Sequence, residues 1–159
     1  MTQDFNDILN WRQISDRVSL SGQPSAEQLA RLAQAGVTCV INLGPHDNDG
    51  ALEDEPGTVT DLGMEYVYIP VDFDAPTEAD YLAFCKAMKA HADDRVHVHC
   101  IYNARVSAFM LRYARDHHGD TIAAEALMEG IWRPGGVWAT FIGRQADATL
   151  PNRYAGYEY

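Results

Sequence analysis

Positive charge is scarce in this sequence: 12 Lys and Arg stand against 23 Asp and Glu, for a net charge of −11. Such a surface repels nucleic acid and anionic lipid, so neither is expected as a partner. Any site for an anion must be a local exception to the overall field. Long apolar runs are missing too. No stretch approaches the 18 or more apolar residues of a membrane span. The start, MTQDFNDILNWRQ, lacks the basic and apolar regions of a secretory signal, so a cytoplasmic protein is expected. Cysteine is limited to three, Cys39, Cys85 and Cys100, with no C-x-x-C pair. That argues against a disulfide framework or a zinc site and leaves each thiol needing its own explanation. Internal repeats, linkers and low-complexity tracts are absent.

What is present reads as one domain over 1–159, with 47% hydrophobic residues to build a core. Residues 17–22 read as a first strand. Ser25 and Gln28 have capping-box spacing, Leu29, Leu32 and Ala33 form an apolar helical face, and Gly36 ends that helix. The β-branched run 37–43 reads as a strand buried on both faces. A loop follows at 44–57, acidic at 47, 49, 53, 54 and 55, with a short helix within 51–62. Residues 64–71 form a third strand. Thr77 and Asp80 open a helix whose stripe is Tyr81, Leu82, Phe84, Cys85 and Met88, and 95–100 is a fourth strand. Val106, Phe109, Met110 and Tyr113 mark the next helix, broken by HHGD at 117–120. Ile122, Ala126, Leu127 and Ile131 suggest another, and 137–142 a last one.

Strands alternating with helices predict a single three-layer α/β domain, its central, largely parallel sheet covered by helices on both faces. Ligands in such sheets sit at the carboxyl ends of the strands. The loops leaving those ends are 44–57, 72–77 and 100–105, which brings Asp72 and Asp74 towards Cys100.

VHCIYNARVSAF, residues 98–109, carries the chemistry. Cys100 ends a strand just before a helix, where unpartnered N–H groups bind anions and favour a thiolate. Arg105 adds a planar fork suited to phosphate oxygens. A thiolate, an anion cradle and a nearby carboxylic acid suffice for phosphomonoester hydrolysis through a phosphocysteine.

HCIYNARVS resembles the H-C-x-x-G-x-x-R-S/T signature of the cysteine-based protein tyrosine and dual-specificity phosphatases. V-D-F-D-A-P at 71–76 resembles their acid loop, with Asp72 at the general-acid position, Asp74 its rival, and Pro76 at the closing proline. S-G-Q-P-S and G-V-T-C-V-I-N-L are similar to a bacterial, tyrosine-phosphatase-like branch; together the matches span roughly residues 8–142. The resemblance implies a tyrosine-phosphatase-like fold with Cys100 as nucleophile, Arg105 as clamp and Asp72 as acid and base. It implies a phosphate cradle from the backbone of Ile101, Tyr102, Asn103, Ala104 and Val106, supported by His99 and Ser107. No metal or organic cofactor is implied, and the substrate would be a phosphorylated protein or a small phosphate ester.

The signature has five residues between cysteine and arginine; this chain has four, Ile101 to Ala104. If the loop is one residue shorter, Arg105 keeps its role; if spacing is kept, Ser107 takes the hydroxyl position and the arginine is lost. The shorter loop is the favoured reading, with Asn103 replacing glycine at a turn that Asn tolerates. One anion donor fewer costs about 2.7–4 kcal/mol of transition-state stabilisation, so weak or absent activity is expected unless the loop compensates. A catalytically inactive phosphate-binding pseudophosphatase is one alternative. A rhodanese-like sulfurtransferase using a Cys100 persulfide is another, because rhodanese-like loops resemble C-R-x-G-x-R and share the four-residue gap. Elsewhere, Cys39, Cys85, Trp11, Trp132 and Trp138 read as core, His97 as structural, and 44–57 as solvated surface flanking the pocket.

Overall fold

Two helix starts follow the sequence directly. Ser25 Oγ accepts the Gln28 N–H while Gln28 Oε1 accepts the Ser25 N–H, and Thr77 and Asp80 repeat the exchange. Each pair satisfies two donors that a helix start leaves unpaired.

The computed structural model describes residues 5–154; the first four and last five residues of the expected 1–159 domain lie outside the described residues. In chain order the elements are β1 (Arg12–Gln13), β2 (Val18–Ser21), α1 (Ala26–Gln34), β3 (Cys39–Asn42), α2 (Glu55–Asp61), β4 (Glu65–Tyr68) and α3 (Glu78–Ala90). β5 (Val96–His99), α4 (Ala104–Asp116), α5 (Thr121–Ala126), β6 (Trp132–Arg133), α6 (Gly136–Phe141) and β7 (Arg153–Tyr154) complete the fold.

The main sheet has the order β1-β2-β5-β3-β4, parallel throughout except for β1. Side chains alternate across it. Cys39, Ile41, Val96 and Val98 join Phe84 of α3 and Val106 and Phe109 of α4 in one core. Val40 packs on the opposite side with Leu29 and Leu32 of α1 and Val59 of α2. That second face also carries His97, bonded to Ser19 and Ser21 and stacked on Trp11, as its structural role required. Among the described residues no helix is long and apolar enough to cross a membrane.

Some expectations need correction. Leu82 is 63% exposed and Ile122 81% exposed. Leu82 stands one residue off the 81, 84, 85, 88 spacing, so the helix turns it outward. α5 stops at Ala126, and Leu127 and Ile131 are buried from the turns that follow. The two-residue strands β1, β6 and β7 are too short to leave a periodic signal.

Candidate active site

β5 ends at His99 and α4 begins at Ala104, so Cys100 to Asn103 form the connecting loop. The loop's carbonyls are held from outside. Cys100 O accepts from His99 Nδ1 (3.0 Å), Ile101 O from the Gln23 N–H (2.9 Å), and Tyr102 O from Asn10 Nδ2 (2.8 Å). In a trans peptide the following N–H points opposite its carbonyl. The N–H groups of Ile101, Tyr102 and Asn103 therefore point away from His99, Gln23 and Asn10, and that of Asn103 lies 3.2 Å from Cys100 Sγ.

Asn103 takes φ +77°, a left-handed conformation that glycine adopts freely and Asn tolerates better than most residues. Its Nδ2 donates to Asn10 O (2.8 Å), which ties the turn to the N-terminal segment. Gly22 lets that segment approach: a Cβ there would lie 2.6 Å from Ile101 O.

His99 is buried, and both ring nitrogens meet oxygen partners: Nδ1 meets Cys100 O, and Nε2 meets Glu55 Oε2 at 2.6 Å. Gln23 Nε2 donates to Glu55 Oε1 (2.6 Å). Burial pushes the Glu55 pKa up, but His99, Gln23 and Tyr66 outweigh it and hold the carboxyl below its ordinary value. Glu55 was missed from the sequence, because in an acidic loop nothing marks one carboxylate as the buried one.

Arg105, in the first turn of α4, is 6% exposed. It donates to Val71 O (2.9 Å) and to Asn48 Oδ1 (3.1 Å), both neutral acceptors, and its guanidinium faces the Phe73 ring. Among the described residues no carboxylate forms an ion pair with it. A buried charge with only neutral partners is costly, and an anion beside it removes that cost.

Arg105, Cys100, Ile101, Tyr102 and Ala104 line one pocket of about 290 Å³. Asn48 and Asp49 of the acidic loop complete it with Phe73 and Tyr154, so that loop does flank the site. Val106 is fully buried in the core and Ser107 is turned away: its Oγ donates to Ala104 O and accepts from Trp132 Nε1. Asp72 is exposed, with Oδ1 accepting the Asp74 N–H at 2.9 Å; neither carboxylate lines the pocket. Their neighbour Phe73 does, and Trp138 Nε1 donates to its carbonyl at 2.7 Å. Cys39 and Cys85 lie outside the pocket, and burial raises both thiols, Cys39 to about 12.

The parallel sheet and cysteine loop define a tyrosine-phosphatase-like α/β domain. Residues 6–133 match the family described as DSP-PTPase phosphatase fused to NAD+ kinase, and the chain belongs to that family, within the cysteine-based phosphatase superfamily. A putative phosphatase (DUF442) from Shewanella putrefaciens CN-32 is 35% identical, with a TM-score of 0.76 over 86% of this chain and 91% of that one. A beta-lactamase hydrolase-like protein of Xylella fastidiosa is 34% identical over 93 residues, 55% of this chain and 21% of that protein. The chain thus spans about a fifth of that relative's length. TpbA of P. aeruginosa, 21% identical, shares the fold with a TM-score of 0.62 over 77% of this chain and 74% of that one.

Proposed function

We propose that this protein hydrolyses phosphomonoesters in the cytoplasm through a phosphocysteine on Cys100. Cys100 Sγ attacks phosphorus as the thiolate, the bond to the leaving oxygen breaks, and a carboxylic acid gives that oxygen its proton. Water then attacks phosphorus, the S–P bond breaks, the carboxylate takes the water's proton, and phosphate departs. The N–H groups of residues 101–103 and Arg105 hold the equatorial oxygens. Asp72 is the proposed acid and base. The substrate is a phosphorylated protein or small phosphate ester; the rim of Phe73, Tyr102 and Tyr154 suits an aryl ester. A structural neighbour, TpbA, has been crystallised with pTyr.

The observation that carries this reading is the buried Arg105, which lines the same small pocket as Cys100 and forms no ion pair with a carboxylate among the described residues. The test is turnover of p-nitrophenyl phosphate by the native chain, by Cys100→Ser, and by a variant with one glycine inserted between Asn103 and Ala104. Turnover in the native protein, lost in Cys100→Ser, is the expected result. Turnover only after the insertion identifies a pseudophosphatase. Thiocyanate formation from thiosulfate and cyanide, without phosphate turnover, transfers the site to sulfur chemistry.

A further inference from the structure

At the amino ends of β3 and β4, opposite the edge that carries the cysteine loop, three donor groups converge. They are Cys39 Sγ, Glu65 Oε2 and His91 Nε2. All three ligand atoms lie within 4.8 Å of one another. They come from separate parts of the chain: Cys39 begins β3, Glu65 begins β4 directly beside it in register, and His91 caps the end of α3.

His91 is already oriented. Its Nδ1 lies 2.8 Å from Asp94 Oδ2, so the ring presents Nε2 to Glu65 at 2.5 Å. A carboxylate on the far nitrogen is the usual support of a metal-bound histidine, because it fixes the tautomer and strengthens the ligand. Arg17 secures the turn that carries Asp94 by donating to the Ala92 and Asp94 carbonyls.

The His–carboxylate contacts alone would form a simple ion-pair cluster. The thiol separates the two cases. Cys39 is fully buried and its thiol makes no hydrogen bond among the described residues, yet its sulfur lies within 4.8 Å of the carboxylate and imidazole ligand atoms. A buried thiol facing a carboxylate gains nothing from that neighbour and gains a bond from a cation placed between them.

We propose that Cys39, Glu65 and His91 bind a divalent, borderline-soft metal ion of the zinc type, with Asp94 orienting His91. One sulfur, one imidazole nitrogen and one carboxylate oxygen form a donor set suited to zinc. Zinc bonds of about 2.0–2.3 Å place tetrahedral ligands about 3.3–3.7 Å apart. Glu65 Oε2 and His91 Nε2, now 2.5 Å apart, therefore separate by about 1 Å, and the Cys39 sulfur, within 4.8 Å of both, closes by about 1 Å at most. Binding expels to solvent both the Cys39 thiol proton and the proton held between Glu65 Oε2 and His91 Nε2, and replaces that hydrogen bond with two metal bonds. A fourth position is left for water. Glu65 is exposed, which gives the ion a route of entry from solvent.

The absence of C-x-x-C spacing hid this set, since its ligands meet only through the sheet register. The site is remote from Cys100 and stands or falls independently of phosphatase chemistry.

The test is titration of the chelator-treated full chain with Co(II), read by absorbance, and with Zn(II), read by thermal shift. One equivalent of Co(II) is expected, with a near-ultraviolet thiolate charge-transfer band. The band should vanish in Cys39→Ser and persist in Cys85→Ser and Cys100→Ser. Glu65→Gln and Asp94→Asn alter surface side chains and guard against misfolding of the cysteine variant; each should weaken affinity about tenfold or more. Absence of the band, its survival in Cys39→Ser, or unchanged affinity in Glu65→Gln overturns the proposal.

Discussion

Glu55 Oε2 lies 2.6 Å from His99 Nε2, and both side chains are buried, so the residue preceding Cys100 is anchored to the first turn of α2. The pair links the acidic segment to the cysteine loop on one face of the sheet. His99 passes the constraint on through its bond to the Cys100 carbonyl.

Removing one partner of such a pair leaves the other buried without compensation. Glu55→Ala should therefore lower stability by about 3–5 kcal/mol. Glu55→Gln, which keeps the shape and one acceptor, should cost less. Urea unfolding at neutral pH measures both. A loss below about 1 kcal/mol for Glu55→Ala would show that the pair is no anchor.

His97 sets a pH dependence of its own. Ser21 spends its hydroxyl hydrogen on Gly22 O at 2.6 Å, so His97 Nε2 donates to Ser21 and Nδ1 accepts from Ser19. The ring is neutral. Burial, reinforced by His99, holds its pKa well below the ordinary 6.5. The unfolded chain therefore takes up the proton first. The contribution is fully present above pH 6.5 and fades as pH falls below it, by about 1.4 kcal/mol per pH unit. Glu55, whose pKa is lowered from 4.5, adds a second loss at lower pH, below 4.5. Urea midpoints between pH 7.5 and pH 5 should show the first slope, and His97→Gln should flatten it.

Asn103 separates backbone conformation from side-chain bonding. At φ +77° glycine is free of strain, whereas alanine pays about 1–2 kcal/mol and a β-branched residue more. Asn103→Gly loses only the bond to Asn10 O, so it should retain the loop. Asn103→Val should lose both the turn and the N–H beside Cys100 Sγ. Vanadate affinity, measured by fluorescence, should fall little for the glycine variant and at least tenfold for valine.

Gly22 sits behind the same loop. A methyl group there would meet Ile101 O at 2.6 Å and Leu9 Cδ2 at 2.8 Å. The leucine can move; the carbonyl cannot without shifting the loop, because the Gln23 N–H is bonded to it. Gly22→Ala should therefore weaken vanadate binding while costing about 1–3 kcal/mol in stability. Unchanged vanadate affinity would show that the loop does not depend on this close approach.

The elements with a local chemical cause were legible in the sequence. Ser25–Gln28 and Thr77–Asp80 mark helix starts by their own hydrogen bonds, and the apolar run 37–43 holds the buried strand β3 at Cys39–Asn42. Cys100, Asn103 and Arg105 were legible because the turn, the thiol and the charge follow one another in the chain. Glu55, Asn48 and Asn10 were not. Their roles come from contacts made across 44, 57 and 92 positions, which no local pattern records. Val106, expected to lend its backbone to the cradle, and Ser107, expected to support it, do not line the pocket: the Val106 side chain is in the core and Ser107 Oγ accepts from Trp132 Nε1.

The acid tests how the pocket completes itself. Asp72 stands between Val71, whose carbonyl holds Arg105, and Phe73, which lines the pocket. Its side chain accepts from the Asp74 N–H, and Trp138 holds the Phe73 carbonyl beside it; the proposed mechanism requires Asp72 to give up that bond and reach the leaving oxygen. Catalytic hydrogen bonds often tighten only with substrate present. Asp72→Asn should therefore lower kcat/KM, which reports the first step, about 10²–10⁴-fold on phenyl phosphate, whose leaving group needs a proton. It should lower kcat/KM far less on p-nitrophenyl phosphate, whose leaving group does not. Asp49 already lines the pocket and is the competing carboxylate. If Asp49→Asn shows this leaving-group dependence and Asp72→Asn does not, the proton comes from the acidic loop, and the 71–76 segment serves only to hold Arg105 and Phe73 in place.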